Sequence, residues 1–416
     1  LGYPALYPAT YPANPVQSST GTFEIDVLPP APGPPKGPWR FLLAAPQPDG
    51  TYLAEITQAQ SRTLTMRAGP GNYHEAAFDI DGNAPAASAV AELQCDVQVM
   101  FGPRLLACLR LTGCTDNLDA SSYRLQPAAV DYRQVLRRRS FAYGGGPPFT
   151  NADIADIAWD LIQAGAGGDA GIQHYPGGNL GIARGAGKAG LGIAATINYI
   201  RQDFAGTVID DLCQLTPGAD WDITPYGQSD LRLDMWSPQR GADNGLIFAF
   251  GDGQVASIQR TTDPSVYANS VFVTGQGISD TPSPGSAGAL DVSDIATRLE
   301  GRWDQVIGTQ HTSQASLDRA AAWYLNDQQV ILPAYAITLH PGAWEGPDWL
   351  WIGDLVTVRI GAGRLAVNDK LPVTEMDFSI DASGLETLTM TAGRYPFKIH
   401  QAIPKILRRL RALETQ

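Results

Sequence analysis

Apolar and polar residues alternate with period two through most of this chain, and in a few stretches the period lengthens to that of a helix. Val97, Val99 and Phe101 place an apolar side chain at every second position, as a half-buried strand requires, and Leu105 onward supplies the returning strand. The same alternation predicts strands over 51–57, 62–67, 74–80, 93–101 and 104–112, with Gly69-Pro70-Gly71 and Gly102-Pro103 as punctuation. Together they predict an antiparallel barrel or small sandwich over 46–140.

The pattern changes at Thr150-Asn151, where a polar cap precedes the stripe Ile154, Ile157, Ala158, Leu161 and Ile162 and Gly165 closes the helix. Residues 165–192 are rich in glycine and poor in large apolar residues, and they read as a long surface loop. A second helix over 206–215 carries Val208, Leu212 and Leu215. It leads into a hairpin, 221–224 with 231–236 around Pro225-Tyr226-Gly227, and then into strands at 246–250, 255–260 and 270–274. Residues 141–280 are therefore expected to form an α+β domain.

Residues 281–330 open with a Pro/Gly/Ser break and contain a third helical stripe, Leu317, Ala320, Ala321, Tyr324 and Leu325. Strands resume at 335–340, 354–360, 371–380 and 385–391, a second antiparallel unit over 331–396. Asp96-Val97, Gly102 and Arg104-Leu105 have a loose echo in Asp354-Leu355, Gly361 and Arg364-Leu365, which raises an internal duplication as an expectation. The fold class expected is mainly β with α+β: two antiparallel β-barrel units flanking an α+β insert.

Both chain ends differ from the body. Residues 1–45 read as an extended arm and linker, with Tyr3-Pro4, Tyr7-Pro8 and Tyr11-Pro12 spaced by four and a second proline cluster ending at Pro38. Such a segment cannot fold on itself but can lay rings on a neighbour. At the other end, 397–416, Ile403, Ile406, Leu407, Leu410 and Leu413 make one apolar stripe beside Pro404, surrounded by Lys405, Arg408, Arg409 and Arg411. Tyr3, Tyr7, Tyr11, Lys405, Arg408, Arg409 and Arg411 are the candidate protein-interaction residues, and docking to an acidic neighbour or another copy is expected of the basic helix.

Composition narrows the class. Hydrophobic residues make up 44% and charged ones 17%, with 44 glycines and 31 prolines, a mixture suited to many short strands and tight turns. At 416 residues, two to four domains are expected. The net charge of -13 argues against gripping nucleic-acid phosphates. Its distribution is uneven: six cations against Glu414 alone give 394–416 a charge of +5, leaving -18 elsewhere. Cys95, Cys108, Cys114 and Cys213 form no CxxC pair, so free thiols are expected. No segment reads as a signal peptide or a membrane span, and cytoplasmic synthesis is expected.

The search for chemistry yields near-misses. Gly187-Lys188 lacks the following hydroxyl and the leading glycine of a phosphate loop, since Ala189 and Ile182 stand there. Asp79-Ile80-Asp81-Gly82-Asn83 begins like a calcium loop, but Ala84 and Val90 replace its glycine and glutamate, so a turn is expected. His74, His174, His311, His340 and His400 are scattered and make no metal motif. Asp210-Asp211 reads as a solvated helix face. Trp344, Trp349 and Trp351 suit a core or an interface, with a sugar-stacking platform as the alternative. No catalytic, cofactor or metal residue is assigned, and no cofactor is expected.

The order of units is informative together with several local stretches. They are Ser61-Arg62-Thr63-Leu64, Pro70-Gly71 and Phe78, the helix and hairpin of 208–236, Trp303-Asp304-Gln305-Val306, Gly353-Asp354-Leu355-Val356 and Ala392-Gly393-Arg394-Tyr395-Pro396. Over roughly 46–396 the chain resembles baseplate hub and minor tail proteins of long, non-contractile-tailed (siphovirus-type) actinobacterial bacteriophages. The resemblance implies tail-tube-like barrels in a homotrimer, making a pseudo-sixfold ring at the tail tip that continues or closes the tail tube and helps guide DNA ejection. The implied partners are further copies of the chain, the distal tail protein, the tape measure protein and other tail-tip proteins, with genome DNA passing through unbound and no membrane insertion. Some relatives carry a cell-wall hydrolase after the hub, and with about twenty residues beyond the second β unit none is expected here. Two alternatives from other classes stay open: a carbohydrate-binding cell-surface module, and a glycan-active enzyme whose site forms only in three dimensions.

Overall fold

Strand burial follows the two-residue period closely. In β3 (Ala59–Arg67), Arg62, Leu64 and Met66 are buried while Thr63, Thr65 and Arg67 face outward, and β4 (Glu75–Asp81) buries Ala76, Phe78 and Ile80 in the same way. The structure is a computed structural model, and it describes residues 39–57, 59–139, 142–143, 149–163, 172–173, 180–185, 190–197, 204–213, 218–262, 267–274, 284–287, 301–308, 321, 325, 333–361, 363, 367–383 and 385–393.

The first β unit comprises β1 (Trp39–Ala44), β2 (Tyr52–Glu55), β3, β4, β5 (Asp96–Phe101), β6 (Arg104–Leu118) and β7 (Tyr123–Asp131), followed by α1 (Tyr132–Leu136). The middle region holds β8 (Ala142–Tyr143), β9 (Phe149–Asp153), α2 (Ile154–Gln163), β10 (Ile172–Gln173), β11 (Ile182–Arg184), β12 (Ala194–Ile197), α3 (Ala205–Cys213), β13 (Asp220–Gly227) and β14 (Asp230–Trp236). The second β unit begins with β15 (Asp243–Ala249) and β16 (Val255–Thr261). A small sheet of β17 (Ser270–Thr274), β18 (Pro284–Ala287) and β19 (Asp304–Gly308) interrupts it. It resumes with β20 (Ala334–Leu339), β21 (Leu355–Ile360), β22 (Val367–Asp381) and β23 (Glu386–Gly393).

The two β units join edge to edge. β3 pairs with the C-terminal half of β22, making one 13-stranded sheet in the order β16-β20-β23-β22-β3-β4-β7-β6-β5-β1-β2, with β21 and β15 branching from the N-terminal half of β22. Both units contribute to one core, from Phe41, Leu64, Phe78, Val97 and Leu109 to Ile337, Val356, Phe378 and Met390. A second core, built on α2, α3, β13 and β14, reaches the outer face of the first unit through Cys108 and Tyr132.

The duplication is present in the backbone. The neighbour order β5-β6-β7-β4-β3 in the first unit is repeated as β21-β22-β23-β20-β16 in the second. Two of the irregularities match as well, while the shift at Val99/Met100 between β5 and β6 has no counterpart between β21 and β22. Between β3 and β4 one extra residue separates Ala59↔Ile80 from Ser61↔Asp79, and between β16 and β20 one separates Val255↔Leu339 from Ser257↔Thr338. Likewise Leu111↔Ala129 steps to Gly113↔Ala128, and Val373↔Ala392 steps to Glu375↔Thr391. These bulges align Leu111 with Val373 and Ala59 with Val255, so Asp96 corresponds to Leu355, one residue off the pairing that the hairpin letters suggested.

Several expectations are corrected. The first strand begins at Trp39, inside the stretch read as linker, because Trp39–Ala44 pairs with β5 immediately after the proline cluster. β5 is buried on both faces, not one, since Asp96 and Gln98 are covered by the insert. The glycine-rich 165–192 is not loop throughout: Ile182 is fully buried in β11, which runs parallel to β14. The second β unit is not purely antiparallel, for β15 and β21 run parallel, a pairing that the long stretch of chain between them permits. Of the third helix, Ala321 and Leu325 are helical and buried, and Leu317, Ala320 and Tyr324 lie outside the described residues.

Candidate functional site

The densest polar chemistry lies where the insert meets the first β unit. β13 carries Asp220, Trp221 and Asp222 against the β3–β4 turn and α1, and all three are buried. Asp222 receives His74 Nε2 at 3.1 Å, Arg133 Nε at 3.5 Å and a short contact from Arg240. Arg133 also binds Asp131 at 2.7 Å, and Asp131 caps α1 by accepting from the Gln134 amide. Burial would push the Asp222 carboxyl up, but His74, Arg133 and Arg240 hold it well below the usual carboxylate range. Burial opposes the charge on Arg133, yet Asp131 and Asp222 raise its pKa. Asp220 goes the other way, its pKa raised chiefly by burial.

A few ångströms along, Asp210 of α3 accepts from Arg137 Nε at 2.7 Å, from Trp221 Nε1 at 2.9 Å and from the Gly71 amide at 2.9 Å. Asp210 was expected on a solvated face; it is buried and ties three elements together. Elsewhere on the same contact, Asp96 accepts from Arg110 Nε at 2.6 Å, from the Tyr132 hydroxyl at 2.6 Å and from the Gln47 amide at 3.0 Å. Burial raises the Asp96 pKa against the pull of Arg110 and Tyr132.

His74, Asp131 and Asp222 bring their ligand atoms within 4.8 Å of one another, a geometry compatible with a metal ion. The network argues otherwise. The Arg67 amide donates to His74 Nδ1 at 3.1 Å, so the proton of a neutral ring sits on Nε2, the atom facing Asp222. Arg133 and Arg240 already neutralise both carboxylates, and a divalent cation would sit between two guanidinium groups. The cluster is a lock between sheet and insert. Sequence reading missed it because the five participants are spread from 74 to 240; the signal was Asp222 standing between Trp221 and Ile223 in an apolar strand.

Trp344, the first of the candidate sugar platform, is buried in the core against Phe101 and Phe378 at 4.8 and 4.7 Å, with Nε1 donating to the Leu350 carbonyl at 3.1 Å. Trp349 and Trp351 pack partly buried on the same core. The Asp79–Asn83 segment is the end of β4 followed by a turn in which Asp81 accepts from the Asn83 amide at 2.9 Å. All four cysteines are free thiols. The interaction candidates Tyr3, Tyr7, Tyr11, Lys405, Arg408, Arg409 and Arg411 lie outside the described residues, as do Gly187, Lys188, His174, His311 and His400. Among the described residues no helix is long and apolar enough to cross a membrane.

No protein-family model matches the sequence, and no curated protein is similar to it in sequence. Solved structures are similar in fold. The tail protein from Neisseria meningitidis MC58 superposes with a TM-score of 0.54 at 11% identity, covering 86% of this chain and 97% of that one. The 43 kDa tail protein of prophage MuSo2 from Shewanella oneidensis gives 0.54 at 12% identity, covering 85% and 96%. The fold is that of prophage tail proteins. The locked insert and the joined β units make one framework that leaves strand edges open. Among the described residues the sheet ends at β2, at β16 and, on its branch, at β15, and β6 beyond Leu111 pairs with β7 alone.

Proposed function

We propose that this chain is a structural protein of a bacteriophage tail, a tail-tip or baseplate hub subunit that assembles with further copies into a ring continuing or closing the tail tube. The observation that carries this reading is the match of fold along nearly the whole of two tail proteins as well as most of this chain. The duplicated β unit supports it, since two like units per chain let a few copies build a ring of more numerous, near-equivalent positions. The net charge of -13 supports a channel through which DNA moves without sticking. The siphovirus-type assignment, the homotrimer, and the distal tail protein and tape measure protein as neighbours come from the sequence resemblance. The tyrosine-proline arm is assigned to a neighbouring chain, and the basic C-terminal stripe to an acidic neighbour or another copy. No catalytic role is proposed: the buried acids and bases described above are spent in pairing with one another. Gold-labelled antibody against the chain, applied to purified particles, is expected to mark one end of the tail; particles without the chain would overturn the reading.

A further inference from the structure

The duplication makes a prediction about the strand edges that neither unit makes alone. Inside the chain, β3 of the first unit pairs with β22 of the second, with Leu64 opposite Phe378, Arg62 opposite Ile380 and Thr65 opposite Asp377. The bulge registers place β16 where β3 stands and β6 where β22 stands. The turns agree, for Asp119 accepts from the Ser121 amide at 2.7 Å and Asp381 from the Ser383 amide at 2.8 Å, in the identical tripeptide Asp-Ala-Ser. One such edge pairing is therefore made within the chain, and its counterpart, β16 on β6, is left open among the described residues.

We propose that the outer edge of β16 in one copy pairs antiparallel with residues 113–118 of β6 in the next copy, in the register that β3 uses on β22. This deepens the ring reading and rests on it. Carrying the register over puts Ile258 opposite Leu118, Arg260 opposite Asp116, Gln259 opposite Asn117 and Thr261 opposite Thr115. The residues suit one another. Leu118 is 79% exposed in the single chain and gains an apolar neighbour. Among the described residues the buried Nε of Arg260 has no hydrogen-bond partner, and Asp116 is an exposed carboxylate side chain. Thr261 and Thr115 repeat the short polar contact between Thr65 and Asp377. The two edges differ from each other, so the association is head-to-tail, the kind of contact that makes a ring where its rotation closes. The edges of β2 and β15 have no counterpart engaged elsewhere in the chain, so the repeat assigns nothing to them.

The test uses the full chain. Native mass measurement is expected to show a closed oligomer; Arg260→Asp and Asp116→Arg should each weaken association by about tenfold or more, and the double reversal should restore most of it. A second measurement fixes register: Ile258→Cys with Leu118→Cys should give reductant-sensitive cross-linked chains on oxidation, and Ile258→Cys with Asn117→Cys, on the opposite face, should not. Oligomers indifferent to both reversals, a double reversal that fails to recover, or equal cross-linking in both pairs would overturn the edge assignment. So would a wild-type monomer at high concentration. The tail reading falls only on the labelling of particles, so the two failures are distinguishable.

Discussion

Leu111 and Val373 hold the same position in two copies of one strand pattern: the Leu111 amide donates to the Cys95 carbonyl at 3.1 Å and the Val373 amide to the Asp354 carbonyl at 2.8 Å. One residue later each strand carries its extra residue, Thr112 and Thr374. Since a one-residue slip turns every side chain to the other face, matching bulges mean that the inward set is conserved between the units, Ile80 matching Leu339 and Phe78 matching Ile337.

The join between the units is a packed one. Leu64 and Phe378 lie opposite each other across it, both within the shared core. Leu64→Ala and Phe378→Ala are each expected to cost about 2–5 kcal/mol, with a coupling of about 0.5–3 kcal/mol in the double variant. Urea denaturation of the four proteins measures both. A single unfolding transition is expected of the two β units, and two transitions would show them folding apart.

Asp222 sets an acid limit. Its folded pKa lies below its unfolded value, so the stability it contributes is complete above the ordinary carboxylate pKa of about 4 and is lost as pH falls through the folded pKa. Asp96 and Asp220, whose folded values are raised, have the opposite sign and favour the folded state as acid protonates them. Asp222→Asn is expected to be less stable at pH 7 and to have a shallower loss below pH 4, read by denaturation across a pH series.

Asp210 joins α3 to the β3–β4 turn and to Trp221. Asp210→Ala leaves Arg137 and the Trp221 Nε1–H facing a hole, and about 3–5 kcal/mol of stability should be lost. Removing Asp230 from its exposed pair with Arg232 should hardly move the unfolding midpoint.

The thiols should be slow to react in the folded chain. Cys95, Cys108 and Cys213 are buried, and burial raises the pKa of each. Burial and Asp116 push Cys114 up to about 11. A thiol reagent at pH 8 is expected to label the native protein slowly, all four sites after unfolding, and Cys114 first as the pH approaches 11.

Strands were legible where turn residues bracket a two-residue period, as at Gly102-Pro103 between β5 and β6; the hairpin of β13 and β14 was also legible, though Pro225-Tyr226-Gly227 is the end of β13 and the turn itself is Gln228-Ser229. The start of β1 at Trp39 was hidden by the prolines before it, and α1 by its five-residue length. Asp210 and Asp222 were illegible because a carboxylate is ordinarily a surface group, and what makes these two buried are arginines 73 and 89 residues away in sequence, Arg137 and Arg133. The repeat was visible but misread by one residue, since letters in a hairpin carry no record of a bulge. The repeated Asp-Ala-Ser at 119–121 and 381–383 was the stronger sign.

The pairing of β3 with β22 also decides how the chain bears load. Its seven residue pairs, from Glu375↔Arg67 to Asp381↔Ser61, lie side by side along two antiparallel strands. A pull that drags one unit past the other along the strand axis strains every rung of that ladder together, whereas a pull across it opens the rungs one after another from an end. The joined units would therefore resist sliding past each other far better than being peeled apart, and would part first at an end of the ladder.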